Sequence, residues 1–138
     1  FYRAISGTSG MNQVSPKKSV FKGKLYVLIN GNSLSAAAEF ASFIKEYREA
    51  TFIGEEAGGN RVQNTSGIAL QIGLPNSNVI AEVPIILWKM NVKIRNEGHG
   101  VKPDYWVRNS IEDEMNNKDS VKSFTYELIE KSISNNGE

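Results

Sequence analysis

Three stretches of this 138-residue chain gather residue types that can do chemistry. The first is Asn32-Ser33-Leu34-Ser35-Ala36-Ala37-Ala38-Glu39-Phe40, in which Ser35 stands between an apolar run and an alanine-rich helical stretch. A serine placed there projects its hydroxyl from the carboxyl edge of a sheet, where ligands collect in α/β folds. The unpaired N–H groups of a first helical turn favour negative charge, so the Ala36 N–H could serve as one donor of an oxyanion hole. The small side chains of Ala36, Ala37 and Ala38 leave room for a substrate chain. Ser and Asn are also favoured N-caps, and by residue type alone Ser33 or Ser35 could simply cap the helix.

The second stretch is the glycine-rich segment Gly54 to Asn60, where Gly58 and Gly59 allow close backbone approach to a ligand. It lacks the Gly-Lys-Ser/Thr ending of a phosphate loop. The third is Glu97-Gly98-His99-Gly100. His99 is the only histidine, so any imidazole base inside the chain must be His99, with Glu97 able to orient it. A histidine between glycines in an exposed loop is more often incidental.

Composition narrows the field. Sixteen basic and 15 acidic residues give a net charge of +1, which offers no electrostatic reason for a nucleic-acid or anionic-membrane partner. The cluster Lys17, Lys18, Lys22, Lys24 reads as a solvated edge before a strand. With no cysteine, disulfides, thiolate zinc sites and cysteine nucleophiles are excluded. No carboxylate–histidine group has metal spacing, so neither a metal nor another cofactor is expected. No apolar run reaches the roughly 20 residues that span a bilayer. The chain opens at Phe1 without a signal-peptide pattern, and is expected to be a piece of a longer protein.

These residues need elements to hold them. Lys24 to Asn30 reads as a strand buried on both faces, inside a parallel sheet. Ser35 to about Arg48 reads as a helix whose inward face is Ala37, Phe40, Ala41, Ile44 and Tyr47. Residues 50–54 form a second buried strand, which completes a βαβ unit with a parallel pair. Further strands are expected over 67–73 and 78–92, around the turn Pro75-Asn76-Ser77-Asn78, with Pro84 marking an edge or break. A loop over 97–104 leads to a short strand at 105–107. The acidic cluster Glu112, Asp113, Glu114 reads as a solvated turn. Asp119 or Ser120 caps a last helix to about Ile133, with Val121, Phe124, Leu128 and Ile129 inward. The organisation expected is a partly looped lead-in over 1–23, a domain over 24–134 and a frayed tail over 135–138.

Taken in order, Tyr26-Val27-Leu28-Ile29-Asn30, Ser35-Ala36-Ala37-Ala38-Glu39-Phe40-Ala41, Phe52-Ile53-Gly54-Glu55 with Gly58-Gly59, and Glu97-Gly98-His99-Gly100-Val101-Lys102-Pro103-Asp104 form a pattern. It resembles the nucleophile region of the serine peptidase family that holds the C-terminal processing (tail-specific) proteases and the tricorn core protease. The resemblance implies an α/β fold with a layered ββα core of the ClpP/crotonase type. Its sheet would be mainly parallel, with helices packed on it and additional C-terminal strands. It implies Ser35 as nucleophile, the Ala36 N–H as oxyanion donor, Glu97 as a supporting acid, and Gly58, Gly59 and Asn60 against a peptide or protein substrate. In the processing branch a lysine base follows Gly-Glu, and its place here falls on Asn60, whose amide cannot take the serine proton. The arrangement is thus closer to the tricorn branch, with a histidine base upstream of Phe1 in a missing N-terminal part. The resemblance also implies an extracytoplasmic, periplasmic or cell-envelope location and leaves an oligomer open. A hydrophobic-ligand-binding module of the same fold, or a structural domain in which Ser35 only caps, are the rival readings.

Overall fold

The computed structural model describes residues 15, 17–65, 67–95 and 98–134. The expectations for the first part of the lead-in, for Glu97 and for the 135–138 tail lie outside those residues.

The β-branched and aromatic runs expected to pair do so. Strands β1 (Tyr26–Ile29) and β2 (Thr51–Gly54) are parallel, with Tyr26 opposite Thr51 and Ile29 opposite Gly54. Between them runs helix α1 (Ala36–Tyr47). After β2 come β3 (Gln63–Asn64), β4 (Ala69–Gly73), β5 (Ile80–Pro84), β6 (Trp88–Lys89) and β7 (Tyr105–Trp106). The chain closes with α2 (Ile111–Met115) and α3 (Ser120–Ser134).

The described strands form three sheets, ordered β1-β2-β7, β3-β6 and β4-β5. Only the first is parallel; β3–β6 and β4–β5 are antiparallel pairs. The fold is therefore mixed α/β, and the mainly parallel sheet expected from the sequence is corrected. The cause is the turn at 75–78, which folds residues 69–84 back on themselves as a hairpin instead of sending them across the sheet.

The core gathers Ile29, Ala41, Phe52, Ala57 and Val101, with Val27, Ile44 and Ala50 packed around it. Helix α1 meets this core through Ala38, Ala41 and Ser42, all buried. Phe40 and Tyr47, expected inward, are 62% and 53% exposed. Small residues win this contact because they bring the helix close, and Ser42 is tolerated there because its hydroxyl donates to the Ala38 carbonyl at 2.8 Å. Leu28 departs from expectation too: it is 45% exposed, so β1 is covered on one face more fully than on the other.

Asp104 ties α1, β2 and the approach to β7 together. Its carboxylate accepts from the Phe52 N–H at 2.8 Å and from Lys45 Nζ at 2.5 Å, while its own N–H donates to the Phe52 carbonyl. Lys45 Nζ also lies 4.7 Å from the centre of the Phe52 ring. The acidic residues 112–114 are helical. Ser110 and Asp113 form a reciprocal capping box at the start of α2. On α3 the residues expected inward, Val121, Phe124, Leu128 and Ile129, are half-buried while Thr125 is the buried one, and the Phe124 ring lies 5.5 Å from that of Tyr105.

Candidate functional site

The turn from β1 into α1 decides what Ser35 can do. The Ser33 N–H donates to the Asn30 carbonyl at 2.9 Å, and the Ala37 N–H to the Leu34 carbonyl at 3.0 Å. The second bond closes a four-residue turn with Ser35 at its second position. Ser35 sits there at φ 48 and ψ −123. These are the angles of the first central residue of a type II′ turn, a place glycine normally takes. An L-residue held there carries strain, of a kind that persists where the surroundings over-determine it.

The serine makes no side-chain capping hydrogen bond. Residue type left the cap reading open; the conformation closes it, because the hydroxyl is not turned back onto the helix. Ser35 and Ala36 are both exposed. Ala37 and Ala38 direct their N–H groups to the Leu34 carbonyl and Glu39 directs its N–H to that of Ser35, while the Ala36 N–H meets no acceptor among the described residues. Ser35 thus presents an exposed, uncapped hydroxyl beside an N–H that meets no acceptor among the described residues.

Ser35 opens into a recess of about 370 Å3 that it shares with Asn60, Gln63, Asn64, Thr65 and Leu87. Asn60 is thus brought to the serine. Its Oδ1 accepts from the N–H groups of Val62 and Gln63 at 2.8 and 3.2 Å, so the side chain shapes the bend that starts this wall. Asn64 donates to the Glu39 carboxylate one helical turn beyond Ser35, which fastens the wall to α1. Gln63, Asn64, Thr65 and Leu87 were not singled out from sequence. The only signal for the first three was their position directly after the glycine-rich loop.

Gly58 and Gly59 stand behind the turn, outside the residues that line the recess. The Gly59 N–H donates to the Ser33 carbonyl at 3.1 Å. A Cβ on Gly59 would lie 2.4 Å from Ala38 Cβ, and one on Gly58 would lie 2.0 Å from the Gly31 carbonyl oxygen. Only glycine permits that approach, and it clamps the turn from below.

His99 lies elsewhere. Its Nδ1 is 3.0 Å from Glu56 Oε1, which also accepts from the Gly100 N–H at 3.0 Å. Burial works against ionisation of Glu56, but the hydrogen bonds from Gly100 and His99, with the charges of His99 and Lys102, outweigh it and hold the carboxyl below its ordinary value. His99 borders a recess of about 130 Å3 with Lys45, Arg61, Arg95 and Lys102, and no residue lines both this recess and that of Ser35.

A larger recess of about 800 Å3 lies beyond the carboxyl ends of β1, β2 and β7, bordered by Asn30, Glu55, Arg108 and Ser110. Its size does not make it the site. Its one serine, Ser110, is committed to Asp113 in the capping box. Among the described residues no group of three or more His, Asp or Glu could hold a metal, and no helix is long and apolar enough to cross a membrane.

Ser35 thus stands on a strained strand-to-helix turn of a mixed α/β domain. The particular family follows from comparison: the model of peptidase family S41 matches residues 3–107, and the chain belongs to that family. No curated protein matches the chain.

Proposed function

We propose that this chain is the nucleophile-bearing C-terminal part of a serine peptidase catalytic domain. It hydrolyses peptide bonds through an acyl-enzyme, in an arrangement closer to the tricorn than to the tail-specific branch and with ClpP/crotonase-like layering. The observation that carries the reading is the Ser35 backbone at φ 48, with a side chain that caps nothing. Membership of a peptidase family gives that strain a use.

Ser35 Oγ attacks the substrate carbonyl carbon and gives its proton to a base. The Ala36 N–H donates to the oxygen as charge builds on it, the amine leaves with the proton, and water then releases the acyl group. Asn60 stands on the recess wall where a lysine base would be sought, and its amide has no basic nitrogen. His99 is held by Glu56 on a different recess. The base is therefore assigned to a histidine outside residues 1–138, with Glu97 as its supporting acid. The substrate chain runs along the Asn60 wall, over the turn that Gly58 and Gly59 support, and the full-length protein works outside the cytoplasm.

The test is labelling of the full-length protein with a serine-reactive phosphonate. Ser35→Ala is expected to abolish labelling; undiminished labelling of that variant would remove Ser35 from the reaction. The isolated 138-residue chain is expected to turn over little substrate. Robust cleavage by it, lost on His99→Ala, would place the base inside the chain instead.

A further inference from the structure

The turn that leads from β1 toward Ser35 opens with Asn30-Gly31, two exposed residues. In an asparagine–glycine pair the following main-chain nitrogen can attack the asparagine side chain readily, because glycine puts no Cβ in its way. The space here is clear as well, since a Cβ built on Gly31 would meet nothing within 4 Å. The Gly31 N–H meets no acceptor among the described residues. The corresponding groups after two other asparagines are tied. The Ser33 N–H, after Asn32, donates to the Asn30 carbonyl at 2.9 Å, and the Ser110 N–H, after Asn109, donates to the Asp113 carboxylate at 2.9 Å.

The side chain of Asn30 is posed for that attack. Its Oδ1 accepts from the Asn32 N–H at 3.0 Å, which bends the carboxamide back along its own main chain, toward the peptide that follows it. The same bond draws electrons away from Cγ and stabilises the charge that grows on Oδ1 when Cγ is attacked. Asn30 also borders the open recess of about 800 Å3, so water has access to carry protons.

We propose that Asn30 is a site of self-modification, losing its side-chain amide to attack by the Gly31 nitrogen. That nitrogen gives its proton to water and bonds to Asn30 Cγ. The Cγ–Nδ2 bond breaks, and Nδ2 takes a proton from water and leaves as ammonia. A second water then opens the succinimide at either carbonyl, leaving an aspartate or an isoaspartate in place of Asn30. The two products differ in what they do to the turn. Aspartate keeps the main chain as it is and still offers an oxygen to the Asn32 N–H. Isoaspartate sends the main chain through Cβ and Cγ and so lengthens it. The added carbon falls where the Asn30 carbonyl holds the Ser33 N–H, and just before the Gly31 carbonyl, which a Cβ on Gly58 would meet at 2.0 Å. There is no slack at that contact, so the turn that carries Ser35 is displaced. Its effect on labelling rests on Ser35 being the nucleophile; the modification itself does not.

The experiment ages the full-length protein in mildly alkaline buffer and follows position 30 by peptide mass and by isoaspartyl methyltransferase assay. Asn136-Gly137 is the other Asn-Gly pair within residues 1–138, and incubation continues until Asn136 has converted. Asn30 should convert over the same period, ahead of Asn32 and Asn109, and phosphonate labelling should fall in step with the isoaspartate fraction. Gly31→Ala should slow the conversion many-fold, whereas Asn30→Asp should label normally when fresh. An Asn30 still intact once Asn136 has converted overturns the inference, as does earlier conversion of Asn32 or Asn109; neither result depends on a variant that folds. Full labelling of protein that has become isoaspartate at position 30 overturns the displaced turn. Fresh protein that takes no label counts against Ser35 as nucleophile, while the peptide masses at position 30 still decide the modification.

Discussion

Replacing Ser35 by glycine should stabilise the protein while removing the hydroxyl proposed as its nucleophile. The residue is held at φ 48 and ψ −123, and a non-glycine residue in such a region costs about 1–3 kcal/mol. Glycine removes that cost but brings a more flexible unfolded chain, worth about 0.5–1 kcal/mol against it. The hydroxyl makes no capping bond, so no hydrogen bond is forfeited. The balance is a gain of about 1 kcal/mol, or a Tm higher by about 3–4 °C for a domain of this length. Ser35→Ala keeps a Cβ and the strain, and should fall within about 0.5 kcal/mol of the parent. Urea unfolding followed by the fluorescence of Trp88 and Trp106 compares the three proteins directly, and phosphonate labelling confirms that both variants are dead. A glycine variant no more stable than the alanine variant would refute the claim that strain is stored at this serine, and with it the main physical support for its role.

Gly59→Ala should destabilise by about 1–3 kcal/mol, as overpacking does, because the new methyl would lie 2.4 Å from Ala38 Cβ; Ser35 labelling in the full-length protein should slow at least several-fold. Asp104→Ala should cost about 1–3 kcal/mol by chemical denaturation, the penalty for stripping the Phe52 N–H of its acceptor. The hydrogen bonds from the Ser110 N–H and hydroxyl lower the Asp113 carboxyl from 3.8 to about 2. Since the folded value is the depressed one, the α2 cap contributes fully above about pH 4 and fades as pH falls through about 2. A carbon-detected NMR titration of Asp113 should give that midpoint, and Ser110→Ala should move it back up.

Much of the site's frame was legible because it rests on local chemistry. An apolar run, a polar turn and an alanine-rich helix announced the strand–turn–helix around Ser35, and their order carried the family. The serine's backbone angle was not legible, because the first central position of a type II′ turn is normally marked by glycine, and serine does not announce it. The inward face of α1 was misread because Ser42 counts as polar until its bond to the Ala38 carbonyl is known. Strands β3 and β6 have two residues each, too few to show a period. The α2 start was readable but passed over: Ser110 followed three residues later by Asp113 is a capping-box signature, hidden behind the charge of its neighbours.

The bond from the Gly59 N–H to the Ser33 carbonyl joins points 26 residues apart in sequence. Turn and helix can begin to form from neighbours alone, but the support behind the turn waits for that distant closure. The glycine support behind Ser35 should therefore be acquired late in folding, after β2 has docked beside β1. A nascent chain still short of residue 59 would carry the serine turn without anything behind it to hold it against the helix.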